Sequence, residues 1–206
     1  MNSWRDAIRH GSFRIRLLIC LVGLLLLVLF LPYFFNDYLL IKPGIVLKDG
    51  LQQIFTPRDF SIPIFVLIYG ALILFISRHA KKPSLILYGL EAYLILQVLR
   101  VMSLSILTLE PPDGIIPLTD PFVAKVAYGV NVFNKDLFFS GHTATLFLLI
   151  LFEQSNRWKL LLSAITLAVA LLLVIQRVHY TLDILAAPPA ALLSFYLAGL
   201  WQPRQN

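Results

Sequence analysis

Apolar residues in this chain come in long runs, and the prolines fall mostly between them. Six stretches come close to the about 20 mostly apolar residues that a spanning helix needs. They are Ile15 to Phe35, Ile62 to Ile76, Leu85 to Leu107, Leu137 to Phe152, Leu160 to Ile175 and Leu182 to Trp201. The second, fourth and fifth are short, so they borrow flanking polar residues or stand nearly upright in the bilayer. The pattern predicts an all-α fold, a polytopic membrane bundle of about six transmembrane helices. Pro188 and Pro189 sit inside the sixth run, about one turn beyond Asp183. There they should kink the helix, either opening a lateral path for lipid or serving packing alone.

Composition sharpens this picture. The 206 residues are 59% hydrophobic with a mean hydropathy of +0.82, far above a soluble domain. No Gly/Ser linker, charge block or repeat divides them, so residues 1–206 read as a single transmembrane domain. Arg5, Arg9, Arg14 and Arg16 before the first run resemble a signal peptide, but that run is too long and no small-residue cleavage site follows it. It is expected to be a retained first span. The net charge of +6 comes from basic residues at the ends of apolar segments, not from an aromatic-interleaved polar face, which argues against a nucleic-acid partner. The single Cys20 excludes an intrachain disulfide and a cysteine-rich metal site.

Charge also predicts orientation. The N-terminal arginines, Arg78, Lys81 and Lys82 after the second run, Arg157 and Lys159 after the fourth, and Arg204 all fall on one side, expected to be cytoplasmic. The opposite loops mix Asp37, Asp49, Asp59, Glu110, Asp113, Asp120 and Asp136 with Lys42, Lys48, Arg58, Lys125 and Lys135. Both termini then lie inside. His142, early in the fourth run, and His179, just before the sixth, share the exoplasmic face, periplasmic in a bacterium.

Three residues stand out as catalytic candidates. His179 and Asp183 are four apart, so on a helix entering the membrane they share a face and the carboxylate can accept the imidazole proton. That fixes the tautomer and stabilises the imidazolium, as a nucleophilic or general-base histidine requires. A helix-end ion pair is the bland alternative, but ionisable residues at a membrane boundary are functional by default. Ser140-Gly141-His142 opens the fourth run, with Ser140 a candidate N-cap and His142 in the first turn. Free amides and a glycine there suit a phosphoryl group, although an ordinary cap beside an interfacial histidine fits the tripeptide equally well when it is taken alone. Arg177 and Arg100 are candidate phosphate ligands because guanidinium offers paired donors; snorkelling is the alternative, and for Arg100 spacing alone favours it. Lys135 is left undecided. His10 and His79 lie in the basic flanks and read as solvated interfacial residues outside the site.

Together, Asp136-Leu137-Phe138-Phe139-Ser140-Gly141-His142-Thr143 and His179-Tyr180-Thr181-Leu182-Asp183 resemble two motifs of the sphingomyelin synthase branch of the type 2 phosphatidic acid phosphatase superfamily. Arg100 followed by Thr108-Leu109-Glu110-Pro111-Pro112 is similar to that branch's arginine-to-Thr-Leu-Pro segment. The resemblance runs from Arg100 to Ala187, with weaker likeness through Pro43 to Pro63. It implies that His179 attacks phosphorus, that Asp183 orients it and that His142 protonates the leaving alcohol. It implies a lipid substrate in the bilayer, no cofactor and no metal. The chain departs from the broader superfamily: Phe139, not proline, precedes Ser140, and Arg177 is only two residues before His179. Pro188-Pro189 stands where the synthases carry aromatic residues.

The leading expectation is therefore a membrane lipid phosphatase or headgroup phosphotransferase working through a phosphohistidine, its catalytic motifs within residues 100–187. No Gly-x-Ser-Gly nucleophile suggests an intramembrane protease, and no Asp-rich helix suggests a metal-dependent phosphatidyltransferase. The alternative is a non-enzymatic transporter or scaffold in which His142, His179 and Asp183 form a proton relay.

Overall fold

The computed structural model describes residues 3–120 and 135–202; Lys125 and Arg204, which entered the charge reading, lie outside them. The helices are α1 (Trp4–Arg9), α2 (Gly11–Tyr33) continued by a π-helical turn (Phe34–Leu39), α3 (Gly50–Ile54), α4 (Ser61–His79), α5 (Pro83–Ile106), α6 (Gly141–Phe152), α7 (Asn156–Ile175) and α8 (Thr181–Gly199). Among the described residues the only β-type pairing is an isolated parallel bridge between Ile45 and Leu109. The fold is an all-helical bundle. Five helical stretches, Gly11–Leu39 and α4, α5, α7 and α8, are long and apolar enough to cross a membrane, and α6 is a shorter apolar helix beside them.

Small residues decide which helix is central. Ala187, Ala191, Ser194 and Ala198 on α8 are fully buried, and their short side chains let α5 and α6 approach its backbone closely. Around that seam pack Ile64, Phe75, Leu96, Leu146, Phe152 and Leu173 from the other helices. Pro188 and Pro189 remain inside one continuous helix. Because neither has an N–H, the carbonyls of Ile184 and Leu185 lose their usual partners. The first span stands at the edge: among the long helices α2 packs chiefly on α5, and it leaves Leu18, Leu25, Leu26 and Leu29 exposed. Pro32 near its end removes one ladder bond, and the helix relaxes into the π-helical turn where Phe34 stacks on Tyr38.

The fourth apolar run departs most from the sequence reading. Helix α6 begins at Gly141 rather than Leu137, and its 12 residues reach only about 18 Å at 1.5 Å per residue, short of the hydrocarbon thickness. Leu137 to Phe139 are apolar, the first and last of them buried and Phe138 partly so, but they are not helical, since Ser140 caps the helix behind them. Their backbone finds partners in the protein, the condition for irregular chain at membrane depth. Ser103 Oγ donates to the Phe138 carbonyl at 2.9 Å, Arg100 Nε to the Phe139 carbonyl at 3.3 Å, and Ser140 N–H to the Asp183 carbonyl at 3.1 Å.

At the end of the bundle far from His179, polar side chains clamp the helices together. Arg16 on α2 makes a two-pronged ion pair with the buried Glu91 of α5, at 2.7 and 2.6 Å. His79 departs from the expectation of a solvated flank residue. It is 2% exposed, and its Nε2 lies 3.1 Å from Oε2 of Glu153 at the end of α6, which Arg78 also grips. His10 is exposed as expected.

Candidate active site

The site forms where the unwound segment, α5, α6 and the start of α8 converge. Ser140 is the N-cap of α6, its Oγ accepting the Thr143 N–H at 3.4 Å, and His142 stands in the first turn. A cap leaves the amides of that turn unpaired by the helix, so the positive end of α6 faces the same space as His142. Gly141 is required for a close approach: a Cβ there would stand 2.7 Å from Arg100 Cζ and 2.8 Å from Nε. Arg100 thus lies flat on the first residue of α6. Its Nη2 is 2.6 Å from Oδ1 of Asp136, so Arg100 of α5 and Asp136 of the segment before α6 meet at the site.

Helix α8 supplies the other half. Tyr180 N–H donates to Asp183 Oδ2 at 2.9 Å in a capping arrangement that turns the carboxylate back towards His179. His179 Nδ1 is 3.5 Å from the same oxygen, an ion-pair distance slightly longer than a formed hydrogen bond. Both residues are buried, with 1% and 0% exposure. Asp183 Oδ1 and His142 Nδ1 are buried with no hydrogen-bond partner among the described residues. Such orphaned atoms call for an explanation, and a bound substrate is one. The rings of His142 and His179 face each other with centroids 6.4 Å apart at 65°, and Phe65 closes the far side of His142 edge-on at 5.9 Å.

The structure therefore brings together His142, His179, Asp183, Arg100, Ser140 and Gly141. Arg177 is directed elsewhere. It adopts φ 60°, and its guanidinium donates to the carbonyls of Asp113 at 2.6 Å and Gln52 at 3.5 Å, beside Gly114. Lys135, left undecided by the sequence, is 2.7 Å from Glu110 and 3.0 Å from the Lys42 carbonyl. Its hydrogen bond is the chief reason the Glu110 carboxyl is held below its ordinary value.

Several supporting residues escaped the sequence reading. Gln176 is fully buried; its Oε1 accepts the Phe60 N–H at 2.8 Å and its Nε2 reaches Ser61 Oγ at 3.1 Å. Asp49 accepts from Thr181 N at 2.6 Å and Thr181 Oγ1 at 3.0 Å, while Gln52 Nε2 donates to the His179 carbonyl at 2.9 Å. Tyr180 Oη donates to the Glu110 carbonyl at 3.0 Å. Asp49-Gly50 carried a legible signal as a helix start; a lone glutamine ending an apolar run carried none.

Among the described residues no group of three or more His, Cys, Asp or Glu side chains is arranged to hold a metal ion. The described residues of the site offer two imidazoles, the carboxylates of Asp183 and Asp136, one guanidinium and the amides of a helix start, a set suited to an oxyanion exchanging between a nucleophile and an acid.

In comparison with known families, residues 135–199 match the family model described as PAP2 superfamily C-terminal. That range holds the unwound segment, α6, α7 and α8, hence His142, His179 and Asp183, but not Arg100. The match supports a phosphatase-type activity. No curated protein matches the chain.

Proposed function

We propose that this protein is a membrane lipid phosphatase or lipid headgroup phosphotransferase that works through a phosphohistidine on His179. One observation carries the reading: His142 and His179 face each other at the starts of two helices, with Asp183 behind His179 and Arg100 against the first residue of α6. Asp183 holds the proton on Nδ1 of His179, leaving the Nε2 lone pair to attack phosphorus, and its charge stabilises the cationic ring that results. The new N–P bond forms as the P–O bond to the lipid alcohol breaks, and the protonated His142 gives its proton to the departing oxygen. Arg100 and the α6 amides stabilise the charge on the phosphoryl oxygens. In the second half His142, now neutral, takes a proton from the acceptor hydroxyl, which attacks phosphorus and frees His179.

The acceptor decides the name: water gives a phosphatase, and a lipid alcohol such as ceramide or diacylglycerol gives a transferase. The Arg100 and Thr108-to-Pro112 segments favour the sphingomyelin synthase-like form, and the basic residues at the far end of the bundle favour an exoplasmic site with cytoplasmic termini. The test is release or transfer of labelled phosphate from a panel of glycerophospholipids and sphingolipids by purified protein, with EDTA present. Activity that survives chelation and disappears in His179→Ala supports the reading. No turnover of any lipid phosphate would overturn it, and recovery of chelated enzyme by added magnesium would overturn the histidine mechanism.

A further inference from the structure

Residues 40–60 join the first span to α4 and cross the end of the bundle that holds the site. The side of this strap towards the protein is polar. Asp49 binds Thr181, the buried Gln52 binds the His179 carbonyl and, through its own carbonyl, Arg177, and Phe60 N–H binds Gln176. The strap thus grips the turn at residues 176, 177, 179 and 181, on both sides of His179.

Its other side is different. Leu40, Ile41, Ile45, Val46, Leu51 and Ile54 are all exposed, Ile41 at 77% and Ile54 at 72%. The exposed Lys48 stands among them and the exposed Arg58 follows them, whereas Asp49 is taken up by Thr181; Asp59 accepts from Ser61 N at 2.8 Å and Ser61 Oγ at 2.7 Å at the start of α4. The outward side is therefore apolar with two cations, Lys48 and Arg58, and one exposed acid, Asp59, whose carboxylate is bonded to Ser61. Both ends of the strap run into spanning helices, so it cannot rise far from the bilayer surface. Apolar residues beside cations at that depth suit one partner, the headgroup and upper acyl region of a leaflet containing anionic lipid.

We propose that residues 40–58 dock into the leaflet on the site side of the membrane, with Ile41, Ile45, Val46 and Ile54 inserted and Lys48 and Arg58 on lipid phosphates, and that docking presses Asp49 and Gln52 onto the His179 turn. The second half rests on the function proposed above, with Asp49 and Gln52 as positioning residues that never touch substrate. Lipid at the strap then controls the geometry of His179, and the enzyme works best on a surface rich in anionic lipid.

The two halves are tested separately. The full chain with Cys20→Ala and Gln53→Cys carries a fluorophore at position 53 and is reconstituted in phosphatidylcholine vesicles with or without phosphatidylglycerol. Quenching by lipids brominated high on their acyl chains, with protection from aqueous iodide, supports docking. It should deepen with phosphatidylglycerol, and Lys48→Glu with Arg58→Glu should abolish that dependence. Free access of iodide in both vesicles overturns docking whether or not the protein is active. For positioning, Asp49→Asn should lower kcat about tenfold with KM unchanged and bromine quenching intact. Unchanged kcat in both Asp49→Asn and Gln52→Ala overturns positioning, whereas a wild-type protein that docks but turns over no lipid phosphate counts against the functional reading alone.

Discussion

The Ser140 N–H donates to the Asp183 carbonyl at 3.1 Å, so the helix that opens with His142 and the helix that carries Asp183 are registered by one shared hydrogen bond. His142 lies two residues beyond one partner and His179 four before the other. The bond can form because α6 starts late: were Leu137 to Phe139 helical, the Ser140 N–H would be spent inside its own helix. The short α6 and the facing histidines have the same cause.

Close contact between Arg100 and Gly141 gives the first prediction. Gly141→Ala puts a methyl group 2.7 Å from Arg100 Cζ, and the guanidinium must leave the Phe139 carbonyl and Asp136 to make room. Lipid turnover should fall about tenfold or more, a loss of roughly 1.4 kcal/mol in transition-state stabilisation, with the helical signal unchanged. Rates and circular dichroism of the purified variant check this, and wild-type turnover would remove Arg100 from the site.

Stability should depend on acid through Glu153. Burial raises its pKa, but hydrogen bonds from Arg78, His79 and the N–H groups of Gln154 and Ser155 outweigh that and bring it down to about 2 from an ordinary 4.5. A carboxyl depressed on folding stabilises the protein above its unfolded pKa, and that contribution drains away as pH falls through the folded one. Thermal unfolding in detergent should show a loss between pH 4.5 and 2 that is weaker in Glu153→Gln. An identical acid dependence in that variant would place the source elsewhere.

How much of this the sequence carried depends on distance along the chain. Runs of leucine reveal spans because the bilayer acts on every residue alike, and the bounds of α4, α5, α7 and α8 fall within a few residues of the reading. The late start of α6 was half legible: Ser140 was recognised as a cap, yet Leu137-Phe138-Phe139 continues the apolar run that the cap interrupts. His179 and Asp183 were legible because helical spacing joins them locally. Arg177 was not, since its direction follows from a positive φ and from carbonyls at Asp113 and Gln52, far off in sequence. His79 failed for the same reason, its partner Glu153 lying 74 positions away.

Orientation is open to direct labelling. In a Cys20→Ala background, a cysteine at the exposed Asp113, outside the strap, should react with an impermeant maleimide in intact cells, while one at the exposed Lys81 should react only after permeabilisation. The expectation follows from basic residues gathering at the Lys81 end. The opposite pattern would put the site in the cytoplasm.

The two histidines face each other but are given unequal duties, and trapping the intermediate separates them. Replacing His179 removes the nucleophile, so rapid quenching of His179→Ala with labelled substrate should capture no phosphoenzyme. His142 only moves a proton. With a nitrophenyl phosphate ester, whose leaving group needs little protonation, His142→Ala should keep part of its first-step rate and accumulate acid-labile phosphohistidine, because the acceptor then lacks its base. Asp183→Asn keeps the size of the side chain but loses the charge that stabilises the imidazolium, and its rate should fall between the two. That substitution also tests the capping arrangement, since an amide oxygen can still accept from Tyr180 N–H; a variant that remains folded but slow assigns the loss to charge rather than to helix α8. Label captured by His179→Ala and refused by His142→Ala would exchange the two roles, with His142 as the nucleophile at the positive end of α6 and His179 as the acid held by Asp183.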